Sequence, residues 1–230
     1  MENFIGIDIS INSTAVYIES NKGKTILSFT NKKDNNIYIK ELIKYGVLFY
    51  HQIRNVSPNY SENEFLKLKH YDNLSNLLIE EIIKKLDLKE KTYCQIEGYS
   101  FSKNTSSILD IVSLSTLIRI NLINSISDID IDIVSPSTLK LETCKLVYKP
   151  IDIGKKKPKY EFRNNQGISG GVFKKPQMFR AMLEGEIKSP IYEMLLKYRD
   201  LMDKDKIPNP IEDIIDAIFC CKIKIKEMEI

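Results

Sequence analysis

Phe4-Ile5-Gly6-Ile7-Asp8-Ile9-Ser10 is an apolar, β-prone run interrupted by a single carboxylate. Its isoleucines predict a strand, and the lack of a polar face predicts one covered on both sides at the centre of a sheet. An acid at the end of such a strand is costly to bury unless a cation or a basic group meets it. Working outward, Thr14 to Ser20 and Lys24 to Phe29 read as two further strands joined by the turn Asn21-Lys22-Gly23. The chain therefore opens as an antiparallel meander.

The next acids fall in the same kind of setting. Thr92 to Tyr99 reads as another buried strand, in which Cys94-Gln95-Ile96 leads into Glu97-Gly98. Asp213 and Asp216, three residues apart, share one face of a helix begun by Asn209-Pro210 and otherwise lined by Ile211, Ile214, Ile215, Ala217, Ile218 and Phe219. Taken singly, each has an ordinary explanation, since a strand Asp often marks a turn or an edge and first-turn acids favour the helix dipole. Together they imply a divalent cation or basic partners, and oxygen donors without thiolate or imidazole favour magnesium or manganese.

Between these points the periodicity predicts helices over Ser61 to Leu86 and Thr105 to Ile126, a strand over Asp130 to Val134, and a helix capped by Ser135-Pro136. Helices are also expected over Lys175 to Glu184, Ile191 to Met202 and up to about Ile225. The run from Ile37 to Ile53 fits helix or strand equally. Residues 147–172, rich in Lys, Gly and Asn, read as a mobile loop. The result is one α/β domain over residues 1–230, with expected insertions near 30–75 and 147–172.

Composition bounds the function. A chain of 230 residues, 43% hydrophobic and 28% charged, suffices for one large core and excludes collagen-like and disordered classes. Cys94, Cys144, Cys220 and Cys221 have no disulfide-framework spacing, so reduced thiols are expected. The first residues lack the pattern of a signal peptide, and Asp110 and Arg119 interrupt the longest apolar run, Ile108 to Ile126. An intracellular protein without a membrane span is expected. His51 and His70 are the only histidines, which leaves no zinc set or serine-hydrolase triad built on histidine. Asp128, Asp130 and Asp132 alternate and read as one solvent-facing strand face, and Gly167 to Gly171 lacks the strand and Gly-Lys-Ser/Thr ending of a phosphate-binding loop.

The pieces resemble one family. Gly6-Ile7-Asp8-Ile9-Ser10, Ile96-Glu97 and Asp213-Ile214-Ile215-Asp216-Ala217 resemble the acidic motifs of RuvC-like Holliday junction resolvases, whose bacterial, phage and poxvirus members belong to the ribonuclease H superfamily. The resemblance extends to Ser102-Lys103-Asn104, to Ser135-Pro136 with Lys140, and to the Lys174-Lys175 helix start, while Ile9-Ser10 replaces the usual glycine after the first Asp. It implies a mixed five-stranded ribonuclease H-like sheet flanked by helices. It further implies metal-dependent cleavage of branched DNA by a homodimer. Asp8, Glu97, Asp213 and Asp216 would be the catalytic acids, holding two Mg2+ (or Mn2+) ions with Asp8 bridging them.

Lys140, Lys174 and Lys175 are candidate phosphate contacts, and Tyr99 and Phe101 candidate stacking residues at a branch point. The surplus of apolar residues on the helix from Thr105 to Ile126 makes it the expected dimer interface, testable with Leu117→Glu. Alternatives are a nuclease of the same fold acting on RNA–DNA hybrids or transposon ends, a non-catalytic DNA-binding module, and a sugar kinase or actin-like ATPase. The last needs a second domain and further glycine-rich loops that the sequence lacks.

Overall fold

The computed structural model describes residues 1–32, 36–99, 105–151, 159–164, 167–168, 173–203 and 206–229. Strands β1 (Asn3–Asp8), β2 (Ser13–Ser20) and β3 (Gly23–Thr30) form the meander, with Ile5 opposite Ile18 and Val16 opposite Leu27. Then come α1 (Ile37–Lys44), β4 (Leu48–His51), α2 (Tyr60–Lys85), β5 (Thr92–Glu97), α3 (Thr105–Ser125), β6 (Ile129–Val134) and α4 (Pro136–Val147). The two-residue strands β7 (Pro150–Ile151), β8 (Lys159–Tyr160), β9 (Arg163–Asn164) and β10 (Gly167–Ile168) precede α5 (Lys175–Glu184), α6 (Tyr192–Lys197), a 3-10 turn over Arg199–Asp203, and α7 (Ile211–Met228).

The main sheet has the order β4-β3-β2-β1-β5-β6. β1 is parallel to β5, β5 to β6 and β3 to β4, while β2 alone runs against the rest. The carboxyl ends of the other five strands therefore line one edge of the sheet. This is the expected mixed sheet flanked by helices, but with six strands rather than five. The additional edge strand, β4, and the helix before it come from the run that fits helix or strand equally. Residues 147–172 also differ from expectation where they are described, since they form the antiparallel pairs β7–β8 and β9–β10 in place of a structureless loop.

Strand alternation divides the core into two layers. Ile5, Ile7, Val16, Ile18, Cys94 and Ile96 pack with Leu74, Leu78 and Ile82 of α2 and with Leu114, Ile118 and Leu122 of α3. On the opposite face, Phe4, Tyr17 and Tyr93 pack with α5, α6 and α7 through Phe179, Leu195, Ile218 and Phe219. The face of β1 that carries Phe4, Gly6 and Asp8 thus looks toward α7. Gly6 is essential to that contact, because a Cβ there would overlap the Ala217 carbonyl oxygen and lie 2.5 Å from the Cys221 amide nitrogen. The absent side chain lets α7 lie directly on the strand.

Local chemistry fixes the helix starts. The Asn59 side chain accepts the Glu62 amide at 3.0 Å to begin α2, and Ser135 Oγ accepts the Thr138 amide at 3.1 Å to begin α4, with Pro136 in the first turn. α7 departs from expectation, because its N-cap is Pro210 and no side chain caps it. In α3, Ile108–Ser125 has a mean hydropathy of 1.3, long and apolar enough to cross a membrane by length and composition, contrary to the sequence expectation. One face of α3 packs on the sheet through Leu114, Ile118 and Leu122, yet only 22% of that window is buried.

Candidate metal centre

Two neighbouring parallel strands deliver the first two acids. Ile7 is level with Ile96, so the next residues, Asp8 and Glu97, end β1 and β5 side by side on the face toward α7. α7 crosses that face over Gly6 and supplies the other two, one helical turn apart. Carboxylate oxygens of Asp8, Glu97 and Asp216 all lie within 4.8 Å of one another. Asp216 is wholly buried, Asp8 nearly so and Glu97 half-buried. Asp213 lies just outside this trio but lines the same cleft.

The cleft has a volume of about 270 Å³ and is lined by Asp8, Ile9, Ser10, Glu97, Gly98, Tyr99, Ile111, Pro136, Lys140, Lys175, Glu212 and Asp213. Lys140 and Tyr99 therefore lie in the same cleft as the acids. The Tyr99 hydroxyl accepts a hydrogen bond from Arg119 Nη2 at 2.9 Å, which ties the ring to α3. Lys174 is exposed at the N-terminus of α5, outside the cleft lining. Phe101 and the segment Ser102-Lys103-Asn104 lie outside the described residues.

Lys175 turns inward. Its ammonium contacts the Asp216 carboxylate and lies 3.7 Å from Glu212, with 27% of the side chain exposed. Burial disfavours its charge, but Glu97, Asp8, Glu212 and Asp213 outweigh that and hold the amine above its ordinary range. Lys175 thus supplies counter-charge to the acids from inside the cleft. Sequence reasoning missed Glu212, four residues before Asp216 on the same helical face, although that spacing was itself a usable signal.

Electrostatics mark the cluster as short of positive charge. Burial above all, then the charges of Glu97 and Asp213, push Asp8 well above the usual carboxylate range, and Lys175 pulls it only partly back. Asp213 is raised to about 6, chiefly by burial and further by Glu212, against the lowering effects of Ser13, Lys175 and Lys32. Asp216 Oδ1 and Asp213 Oδ2 are buried with no hydrogen-bond partner among the described residues. Orphaned carboxylate oxygens beside a tight trio of hard donors fit a divalent cation of the magnesium or manganese type.

The raised Asp213 value has a measurable consequence. Its folded-state pKa of about 6 exceeds the ordinary 3.8, so the folded chain binds this proton more tightly than the unfolded chain does. The stability this proton contributes is present below the unfolded value and is lost as pH rises toward and through 6. Without metal, the melting temperature of Asp213→Asn should therefore gain on wild type between pH 5 and pH 7. Thermal melts in a chelator check this, and a gap that narrows with rising pH would contradict it. Saturating Mg2+, which binds the deprotonated form, should shrink the gap at pH 7.

No protein-family model matches the chain, and no curated protein does. Similar solved structures include Thermus thermophilus RuvC in complex with a Holliday junction substrate (TM-score 0.48, 6% identity, covering 100% of this chain and 96% of that one). A second Thermus thermophilus RuvC structure gives a TM-score of 0.46 at 8% identity, covering 99% and 95% of the two chains. The yeast mitochondrial Holliday junction resolvase Ydc2 gives 0.47 at 10% identity, covering 98% and 81%.

Proposed function

We propose that the protein is a divalent-metal-dependent endonuclease that cuts branched DNA, four-way junctions above all. The observation that carries this reading is the convergence of Asp8, Glu97 and Asp216 oxygens within 4.8 Å, beside Asp213, at the carboxyl edge of a ribonuclease H-like sheet. When bound there, Mg2+ or Mn2+ would supply an activated water and charge neutralisation for phosphodiester hydrolysis. The strand-borne acids fix two ligands on rigid backbone, and α7 presents the other two from one face. Lys140, on the cleft wall, would offer its ammonium to a neighbouring phosphate, and Lys175, beside Asp216, would add positive charge next to the acids. The four acids serve as the catalytic and metal-binding set.

The test is metal dependence. Chelator should abolish nicking of a synthetic junction, Mg2+ or Mn2+ should restore it, and Ca2+ should support binding without turnover. Nicking that survives chelator would overturn the proposal.

A four-way junction has two-fold symmetry, and paired cuts need two sites, so the proposal includes a two-fold homodimer. Leu109, Ile120 and Ile123 are 66, 48 and 60% exposed and fall on one side of α3, the side away from the sheet. Leu117, the position singled out by sequence, instead packs against the core, and Asn121 is satisfied by Ser75 and Asn76 of α2. Ile120→Glu is therefore the sharper test. It should give a folded monomer by light scattering that nicks junctions but loses paired cleavage, whereas a monomeric wild type would refute the dimer.

A further inference from the structure

A second cavity, of about 380 Å³, opens on the same edge of the sheet as the metal centre. It is lined by Ile11 and Asn12 from the β1–β2 loop, Asn31 after β3, Gln52, Ile53 and Arg54 after β4, and His70 of α2. Every strand feeding it except β2 points its carboxyl end here, as β1 and β5 do at the acids. The cleft and the pocket follow one another along the chain, because Ile9 and Ser10 line the cleft while Ile11 and Asn12 line the pocket. From Asp8 to Asn12 the chain spans no more than about 14 Å.

The walls are bolted together. The Asn31 amide donates to the Asn12 carbonyl at 3.1 Å, Asn31 Nδ2 to Asn12 Oδ1 at 2.8 Å, and the Gln52 amide to the Thr30 carbonyl at 2.9 Å. The chemistry is opposite to that of the cleft. Among its lining residues are a guanidinium, an imidazole and three carboxamides, and no carboxylate. Burial, and secondarily the Arg54 charge, lower the His70 pKa, so its ring is neutral at pH 7 and can both donate and accept. Ile11 and Ile53 add an apolar surface, and Ile53 is 76% exposed.

We propose that this pocket holds one nucleotide of the DNA strand that crosses the metal centre, a few nucleotides along from the phosphate at the acids: its phosphate on Arg54, its base against Ile11 and Ile53, and the base edge read by Asn12, Asn31 and Gln52. This rests on the nuclease reading and adds a determinant of where the strand is cut. A guanidinium matches phosphate, and carboxamides match the paired donors and acceptors of a base edge. At about 3.4 Å per nucleotide of duplex rise, the separation corresponds to a few nucleotides. The volume falls in the range of small-ligand sites.

The test uses the full chain with Ca2+ and a fluorescent junction in which single nucleotides near the cut site are made abasic in turn. Wild type should lose about tenfold in affinity at one position or two adjacent ones, the scale of a lost base contact. In Asn31→Ala/Gln52→Ala that penalty should vanish. Arg54→Gln should weaken binding at every substrate and flatten the slope of log affinity against log salt by about 0.7–0.9, and Arg54→Lys should restore the slope. A flattened slope with no abasic penalty would show a backbone-phosphate site only and overturn base recognition. An unchanged slope, or a penalty that persists in the double variant, would overturn the pocket while leaving the metal centre standing. A wild type that binds and cleaves no DNA in Mg2+ would overturn the nuclease reading and the pocket with it.

Discussion

Asp8→Asn is expected to lower junction cleavage by on the order of a thousandfold or more while leaving the metal-free protein as stable as wild type, or more so, at pH 8. The loss follows from position: Asp8 is the buried strand-end member of the trio, so replacing it takes an oxygen and a charge out of the cluster proposed to hold the cation. Changing a group that merely orients a metal ligand costs about 10–100-fold, so a ligand itself should cost more. The gain in stability follows from the same burial. Asp8 is pushed well above the carboxylate range by burial, Glu97 and Asp213, so its ionised form opposes folding when no metal is present. Asparagine keeps the shape and removes that opposition, by about 1–3 kcal/mol. Thermal melts in chelator, metal titration and a cleavage assay read the three effects together. Near-normal cleavage, or marked destabilisation, would show that Asp8 has another role.

Gly6→Val should be the most damaging single substitution away from the acids. The new side chain would occupy space held by backbone of α7, at the Ala217 carbonyl and the Cys221 amide, where no flexible side chain can yield. Overpacking a core costs about 1–3 kcal/mol when side chains can adjust, and here a whole helix must move. Because α7 carries Asp213 and Asp216, that movement should separate them from Asp8 and Glu97. We expect a large drop in melting temperature and loss of metal binding together, with Gly6→Ala intermediate in both. A stable Gly6→Val that still binds metal would mean that α7 does not seat on β1 as described.

What could be read from the sequence divides along physical lines. β1, β5 and α7 were legible because a carboxylate inside an apolar run is costly, so Asp8, Glu97, Asp213 and Asp216 stood out against their surroundings. The meander was legible from its turn residues. β4 was not, because Ile37 to Ile53 carries apolar residues with no single period; the structure divides it into a helix capped by Asn36 and a short strand completed only by pairing with β3. The direction of Lys175 was not legible. A lysine beside a proline at a helix start carries no sign of which way it turns, and the decision to point inward belongs to four acids from three distant segments. The pocket around Arg54 was equally hidden, since its walls come from two strand ends, a loop and α2, and none of these pieces forms a motif alone.

Whether this carboxylate cluster cuts branched DNA is decided by a side-by-side cleavage assay. Purified protein in Mg2+ should be given, side by side, a synthetic four-way junction, a linear duplex, a flap and an RNA–DNA hybrid of matched length. Symmetric nicks in the junction are expected, dependent on metal and absent in Asp8→Asn, with little cleavage of the linear duplex or the hybrid. Cleavage of the hybrid in preference to the junction, or no metal-dependent cleavage of any of them, would contradict it.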